Sequence, residues 1–291
     1  MSRAKPPIRD QFRFKHRLRV RWAEVDMQKI VFNPHYLMYF DTAISDYWRA
    51  LALPYEAAMH QLEGDLYVKK AGVEYFASAR YDDLLDIGLR CERIGNSSMQ
   101  FGGGIFRGDE ILVSGELLYV FANPQTQTSC PVPAALRDTL MAYEAGEPSV
   151  RSQIGAWSEL GQDARALRTE VFVQEQGIPV ELEWDELDEG AIHAVTWNRL
   201  GMPVATARLT RQSAGVSRIG RMAVSRVLRG TGLGRGLVHM LLDQARSQGD
   251  HEVILHAQRT AEDFYRGLGF QPRGSEFEEA GIAHIEMFQQ P

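Results

Sequence analysis

Two stretches of this sequence gather residue types that act on activated carbonyls and on phosphates. In the first, Asp26 precedes an Asn33-Pro34 pair, which supplies an N-cap and a first-turn proline. The run that follows carries Tyr36, Leu37, Phe40, Ile44, Tyr47, Trp48 and Leu51 at helical spacing, predicting a long, mostly buried helix. A helix N-terminus leaves backbone amides unpaired and carries partial positive charge. It is therefore suited to polarise a carbonyl and to hold the oxyanion that develops there. A carboxylate beside that carbonyl either activates water or attacks directly. Asp26 is accordingly a base or a nucleophile, and the sequence does not choose. Asn33 is read as the cap of the helix. Glu24, on the same strand face as Asp26, reads as a surface residue, Tyr36 as a buried aromatic and His35 as an exposed first-turn histidine.

The second stretch is Met222-Ala-Val224-Ser-Arg-Val-Leu-Arg229-Gly-Thr-Gly232-Leu-Gly234. A strand, a glycine-rich turn and a helix follow in that order, so amides from Arg229 through Gly230, Thr231, Gly232, Leu233 and Gly234 can converge on a pyrophosphate. A dinucleotide fold would need repeated parallel βαβ units and an acidic residue after the next strand. Here the strand Val253 to Ala257 runs into Gln258. A third glycine cluster, Gly102 to Gly104, lies between strand residues with no helix behind it, and a bulge or close strand crossing explains it better than phosphate binding.

The elements that must position these groups divide the chain. At 291 residues it is long enough for about two globular units. Residues 14–26 alternate as a strand, the long helix follows, and period-two segments come at 73–79, 87–94, 99–106 and 111–121. A strand, a central helix and a run of antiparallel strands make an α+β layout. The polar, Gly- and Pro-containing stretch 145–152 places the boundary near residue 150, giving domains 1–148 and 149–291. The second begins with a helix around 163–176 and continues as strands at 191–197, 204–209 and 220–224, a helix ending near Gln248, strand 253–257, helix 261–268 and two terminal strands.

Apolar residues make up 44% and charged residues 24%, the balance of a soluble globular protein. No apolar run reaches the ~20 residues needed to cross a bilayer, and the start lacks a secretory signal, so no membrane association and a cytoplasmic location are expected. A formal charge of -6 argues against nucleic acid as a partner. Cys91 and Cys130 have no metal or redox spacing and read as free thiols; no metal is expected.

The segment Val20 to Tyr36, with Val73 to Asp83, resembles the 4-hydroxybenzoyl-coenzyme A thioesterase family of hotdog proteins, in which an antiparallel sheet surrounds a long central helix. That resemblance covers about residues 14–140. It implies acyl-coenzyme A as substrate, Asp26 and Asn33 as catalytic positions, and a homo-oligomer whose sites use both subunits. Gln28 and Lys29 depart from the small residues that many members carry there. The glycine-rich turn, with Ala261-Glu-Asp-Phe264-Tyr265-Arg-Gly-Leu-Gly269-Phe270, looks like the two signatures of the GNAT N-acyltransferases, an α/β fold with a mixed sheet. Arg168 to Gln176, Asp185, Asp188, His193 and Gly281 to Met287 are similar to its ElaA-like branch. The likeness spans about residues 153–289. It implies that backbone groups of Ala223 and Val224 pair with pantetheine, that Arg229 to Gly234 hold the pyrophosphate, and that Tyr265 protonates the leaving thiolate. The acceptor is an amine of unstated identity. Glu175 is the first candidate for its base, with Asp185, Asp188, His193 and His284 behind it, and the acidic run 181–189 either attracts a cationic amine or is a solvated loop. The resulting expectation is a bifunctional acyl-coenzyme A enzyme, thioesterase and N-acetyltransferase; the alternative is that one half is a non-catalytic binding or dimerisation module.

Overall fold

The computed structural model of the chain describes residues 5–291, which separate into two compact units between Ser149 and Val150. The first holds β1 (Phe14–Arg19), α1 (Pro34–Ala50), α2 (Tyr55–Gln61), β2 (Asp65–Tyr75), β3 (Leu84–Ile94), β4 (Ser98–Arg107), β5 (Glu110–Ala122) and α3 (Ala134–Glu144). Its five strands form one antiparallel sheet in the order β1-β3-β4-β5-β2. Along α1 the residues at i, i+3 and i+4 spacing, Tyr36, Tyr39, Phe40, Ala43, Ile44, Tyr47 and Trp48, are buried. This is the hotdog arrangement expected from the sequence.

The glycines of β4 and β5 explain how close the helix comes. Gly103 and Gly115 face each other across the two strands. A Cβ at either would lie 2.4 or 2.5 Å from ring carbons of Phe40, which is fully buried. Gly103 and Gly115 are thus the seat for a helix side chain, whereas a Cβ at Gly102 would meet Glu92 and one at Gly104 would meet Phe106. The strand predicted over 14–26 ends earlier, at Arg19. Residues Trp22–Glu24 instead form a 3₁₀ turn, because the Glu24 carboxylate accepts the Arg21 amide (2.7 Å) and folds the chain back.

The second unit contains β6 (Val150–Ala156), α4 (Trp157–Arg168), a π-helical continuation (Thr169–Glu175), α5 (Val180–Glu183), α6 (Leu187–Gly190), β7 (Ile192–Asn198), β8 (Pro203–Ser213), β9 (Val216–Val224), α7 (Leu233–Ser247), β10 (Glu252–Gln258), α8 (Glu262–Arg266), β11 (Gln271–Glu279) and β12 (Ile282–Gln289). The seven strands run in the order β11-β12-β10-β9-β8-β7-β6. All neighbours are antiparallel except β9 and β10. That parallel pairing stops at Leu255 opposite Ile219, although β9 continues to Val224 and β10 to Gln258. Beyond it the two strands no longer pair, leaving the facing edge of β9 open for another partner. The apolar face of α7 (Leu237, Val238, Leu241, Leu242, Ala245) packs on the sheet and fixes its N-terminus at the head of this gap. Strand β6 is an edge strand with mostly exposed side chains, so it lacks the alternation that would have marked it in the sequence.

Candidate active sites

In the first unit the segment carrying Asp26 makes a tight reversal into α1. Val25 bridges Val31, the Asp26 amide donates to the Ile30 carbonyl (2.9 Å), and the Phe32 amide donates to the Glu24 carbonyl (2.9 Å). Lys29 occupies the left-handed region (φ 62) to complete the turn. One Asp26 carboxylate oxygen accepts the Gln28 amide at 2.7 Å. The return leg then enters the helix. There the His35 amide donates to the Phe32 carbonyl and the Tyr36 amide to that of Asn33, while the Asn33 amide has no protein acceptor among the described residues.

Several readings change here. Asn33 is not a side-chain cap: its backbone is already helical (φ -51, ψ -35) and its side chain makes no cap bond. Glu24 is buried, not on the surface. It accepts the Tyr39 hydroxyl (2.8 Å) and the Arg21 backbone and guanidinium N–H groups (2.7 Å each). Burial would raise its pKa, but those hydrogen bonds outweigh it and hold the carboxyl below its ordinary range. His35 is half-buried rather than exposed, with Nδ1 shielded from solvent and unpaired. Tyr36 is buried as expected, its hydroxyl accepting the Ala79 amide at 2.9 Å. Along the chain near Asp26, the apolar Trp22, Met27, Phe32, Leu37 and Met38 are exposed, as are the polar Arg21, Gln28 and Lys29.

In the second unit the glycine-rich turn has the geometry of an anion cradle. Gly230 (φ 82) and Gly232 (φ 93) take backbone conformations open to glycine at little cost. The amides of Gly230, Gly232, Leu233 and Gly234 have no protein acceptor among the described residues, whereas the Thr231 amide turns back to the Leu228 carbonyl (3.3 Å). Nothing lies within 4 Å of where a Cβ would sit at Gly230 or Gly232. Ala223 and Val224 lie beyond the last β9–β10 pair, as strand groups facing the gap should. The Val224 carbonyl also accepts the Arg229 Nε (3.3 Å). Across the gap Tyr265 is buried, edge-on to Phe264 and Phe270, with its hydroxyl donating to the Met222 sulfur (3.7 Å). Burial pushes the phenol up to about 12, so it keeps its proton at neutral pH.

The residues proposed as base are all engaged. Arg229 forks onto Glu175 with two 2.7 Å bonds, and these hold the Glu175 carboxyl below its usual range, which makes it a weak base. Asp185 is held by Arg208 (2.6 Å) and Arg221 (3.1 Å), and Asp188 by Arg168 and Arg208 (2.7 Å each). His193 is buried against the Asp188 carbonyl (2.9 Å), and burial lowers its pKa. His284 Nδ1 meets the Ile282 carbonyl at 2.7 Å. Within the acidic run, Glu183, Asp185 and Asp188 are neutralised by arginines, and Glu181, Glu186 and Glu189 are exposed. Sequence reasoning missed Arg221, whose guanidinium spans this network. Nothing in its type or spacing signals the fold of its own backbone.

Comparison with known proteins assigns both halves. Residues 161–289 match the acetyltransferase (GNAT) domain family, and residues 28–114 the thioesterase superfamily. An uncharacterized N-acetyltransferase of Bacillus subtilis, YjcF, is 35% identical over 130 residues, 44% of this chain and 91% of that protein. The chain belongs to the GNAT acetyltransferase family. Its N-terminal half is a thioesterase-superfamily domain, so the chain is a fusion of the two. Protein ElaA of Escherichia coli is 35% identical over 125 residues, 42% of this chain and 81% of ElaA. A solved structure of a gentisyl-coenzyme A thioesterase covers 42% of this chain and 98% of its own, at 21% identity and a TM-score of 0.39. No helix among the described residues is long and apolar enough to cross a membrane.

Proposed function

We propose that the chain is a bifunctional acyl-coenzyme A enzyme, hydrolysing a thioester in its first unit and transferring an acyl group to an amine in its second. The observation that carries this reading is the pair of helix N-termini whose amides lack protein partners, one beside Asp26 and one at the head of the β9–β10 gap. In hydrolysis, water adds to the thioester carbon as Asp26 takes its proton, or Asp26 itself adds and the acyl-aspartyl anhydride left after thiolate departs is then cleaved by water to the free acid. The carbonyl oxygen gathers charge against the Asn33 amide, and the C–S bond breaks to release thiolate. In transfer, Gly230, Gly232, Leu233 and Gly234 hold the pyrophosphate, open groups of Ala223 and Val224 hold pantetheine, and the amine nitrogen adds to the carbonyl carbon. The C–S bond then breaks while the Tyr265 hydroxyl donates to the departing sulfur, and the proton that the nitrogen loses passes to solvent, from which the phenol is reprotonated. Arg229 is anchored by Glu175, which we assign to that ion pair and not to the base.

The test is a panel of acyl-coenzyme A esters with and without amines, following thiol release and acylated amine separately. Asp26→Asn is expected to lower amine-independent thiol release by about 10²-fold or more, and Tyr265→Phe to lower amine acylation alone. A second reading is favoured by one contact. The Asp26 carboxylate accepts the Gln28 amide, as a turn-forming residue does. On that reading the first unit is a non-catalytic binding or dimerisation module. Asn preserves the turn but removes the charge, so unchanged thiol release in Asp26→Asn selects it. We further propose that the first unit pairs with a second copy through the edge strand β2, where Tyr67, Val68 and Tyr75 are exposed, at a location in the cytoplasm. A monomer by light scattering would reject the pairing.

A further inference from the structure

Acyl-coenzyme A, if it lies as proposed, reaches the reacting centre from the α7 side. The amine must arrive from elsewhere, and what borders the reacting centre on β9 is the bulge at Arg221. Opposite this bulge the β8 register advances from Thr206 to Arg208 while β9 advances from Ala223 back to Gly220, so β9 carries an extra residue. Arg221 absorbs it at φ 50, a left-handed conformation that strains a non-glycine residue. Its neighbour Met222 touches the Tyr265 hydroxyl and would meet a Cβ at Gly234 at 3.2 Å. Arg221 is thus one residue from both the proposed acid and the pyrophosphate helix.

The guanidinium reaches the other way. Nε donates to the Glu183 carbonyl (3.2 Å) and Nη2 to the Leu182 carbonyl (3.3 Å) and the Asp185 carboxylate (3.1 Å). Arg168 grips the same Glu183 carbonyl (3.0 Å) and its carboxylate (2.5 Å), so the backbone of this short segment is fixed from two elements. The side chains that it presents are nevertheless unfilled. Val180, Leu182 and Leu187 are 45%, 57% and 53% exposed, alternating with the exposed acids Glu181 and Glu186. A segment held at its backbone by the bulge residue that precedes Met222, with apolar and acidic side chains left open, has the chemistry to receive a cationic amine with an apolar body.

We propose that Arg221 is a positioning residue for the acceptor: from the strained bulge it ties residues 182–185 beside the thioester and thereby sets amine binding, not acyl-coenzyme A binding. This rests on the acyltransferase reading. The test uses the full chain, acetyl-coenzyme A, and a panel of spermidine, tyramine, glucosamine and a lysine peptide, with acetylated amine read by mass spectrometry so that thiol released by the first unit does not count. Arg221→Gly removes the guanidinium and suits the positive φ. It is expected to raise the amine KM about tenfold, leave the acetyl-coenzyme A KM within about twofold, and speed hydrogen exchange at residues 180–186 only. Arg221→Lys should recover part of the loss. Parallel rises in both KM values, an unchanged amine KM, or unchanged exchange at 180–186 overturns the proposal, as does a native protein that acetylates no amine in the panel. In that last case, protection of residues 229–234 by acetyl-coenzyme A tells whether the acyltransferase reading survives; its absence removes that reading too.

Discussion

On the proposed function, the two helix starts meet different problems with the same backbone chemistry. At α1 the amide of Asn33 is left open between a closed turn and a proline, on the return leg of the reversal that carries Asp26. At α7 a fan of amides that includes Gly230, Gly232, Leu233 and Gly234 is left open on a glycine-rich turn, with Arg229 alongside. A single donor matches one carbonyl oxygen that becomes charged only as bonds change, whereas a fan of donors matches the several oxygens of a permanently charged diphosphate. The difference lies in how many amides the turn withholds from its own hydrogen bonds and in the sign of the neighbouring side chain.

The largest effect that would sharpen this contrast comes from deleting the one amide. Asn33 has φ -51, within reach of proline, so Asn33→Pro removes the N–H with little backbone change. Thiol release without amine is expected to fall about 10²- to 10³-fold, the loss typical of an oxyanion donor, while amine acetylation is unaffected. Asn33→Ala, which keeps the amide and removes a side chain that caps nothing, should stay within about twofold. Equal activity of the proline and alanine variants, with melting unchanged, breaks the comparison at its first term.

A smaller effect is expected at α7, because no single donor dominates. Gly232→Ala strains a residue at φ 93 and tilts the cradle, and should raise the acetyl-coenzyme A KM for acetylation about tenfold without changing thiol release by the first unit. Smaller still is Glu175→Gln. The Arg229 hydrogen bonds depress the Glu175 pKa, so the pair stabilises the fold above the unfolded value near pH 4.3 and loses that contribution as pH falls through the lower folded value. Both side chains are partly exposed, so the stabilisation is under about 1 kcal/mol. Acetylation across about pH 6 to 9 should therefore keep its profile in Glu175→Gln. Loss of the acidic limb, with a fall of 10²-fold or so, would make Glu175 the base after all.

Patterns local in sequence were legible because local geometry produces them. The apolar spacing of α1, the proline after Asn33 and the order of strand, glycine turn and helix at 222–238 each reflect the backbone of one element, and both fold families follow from them. The family resemblance added roles for Asp26 and Tyr265 that spacing alone does not supply. What the sequence left out was the distant partner. Glu24 read as a surface residue because nothing nearby shows that Tyr39 will close over it, and the ion pair of Glu175 was not legible because its Arg229 partner belongs to the turn before another helix.

What the amino-acid order determined was which segments carry unpaired amides and which side chains flank them, since helix starts and glycine turns are properties of a few consecutive residues. Only the tertiary structure decided the charge state and freedom of the acids and the strain at Arg221. A carboxylate's partner and a strand's bulge depend on which elements pack together, and their energies come from burial and distance rather than from neighbours in the chain.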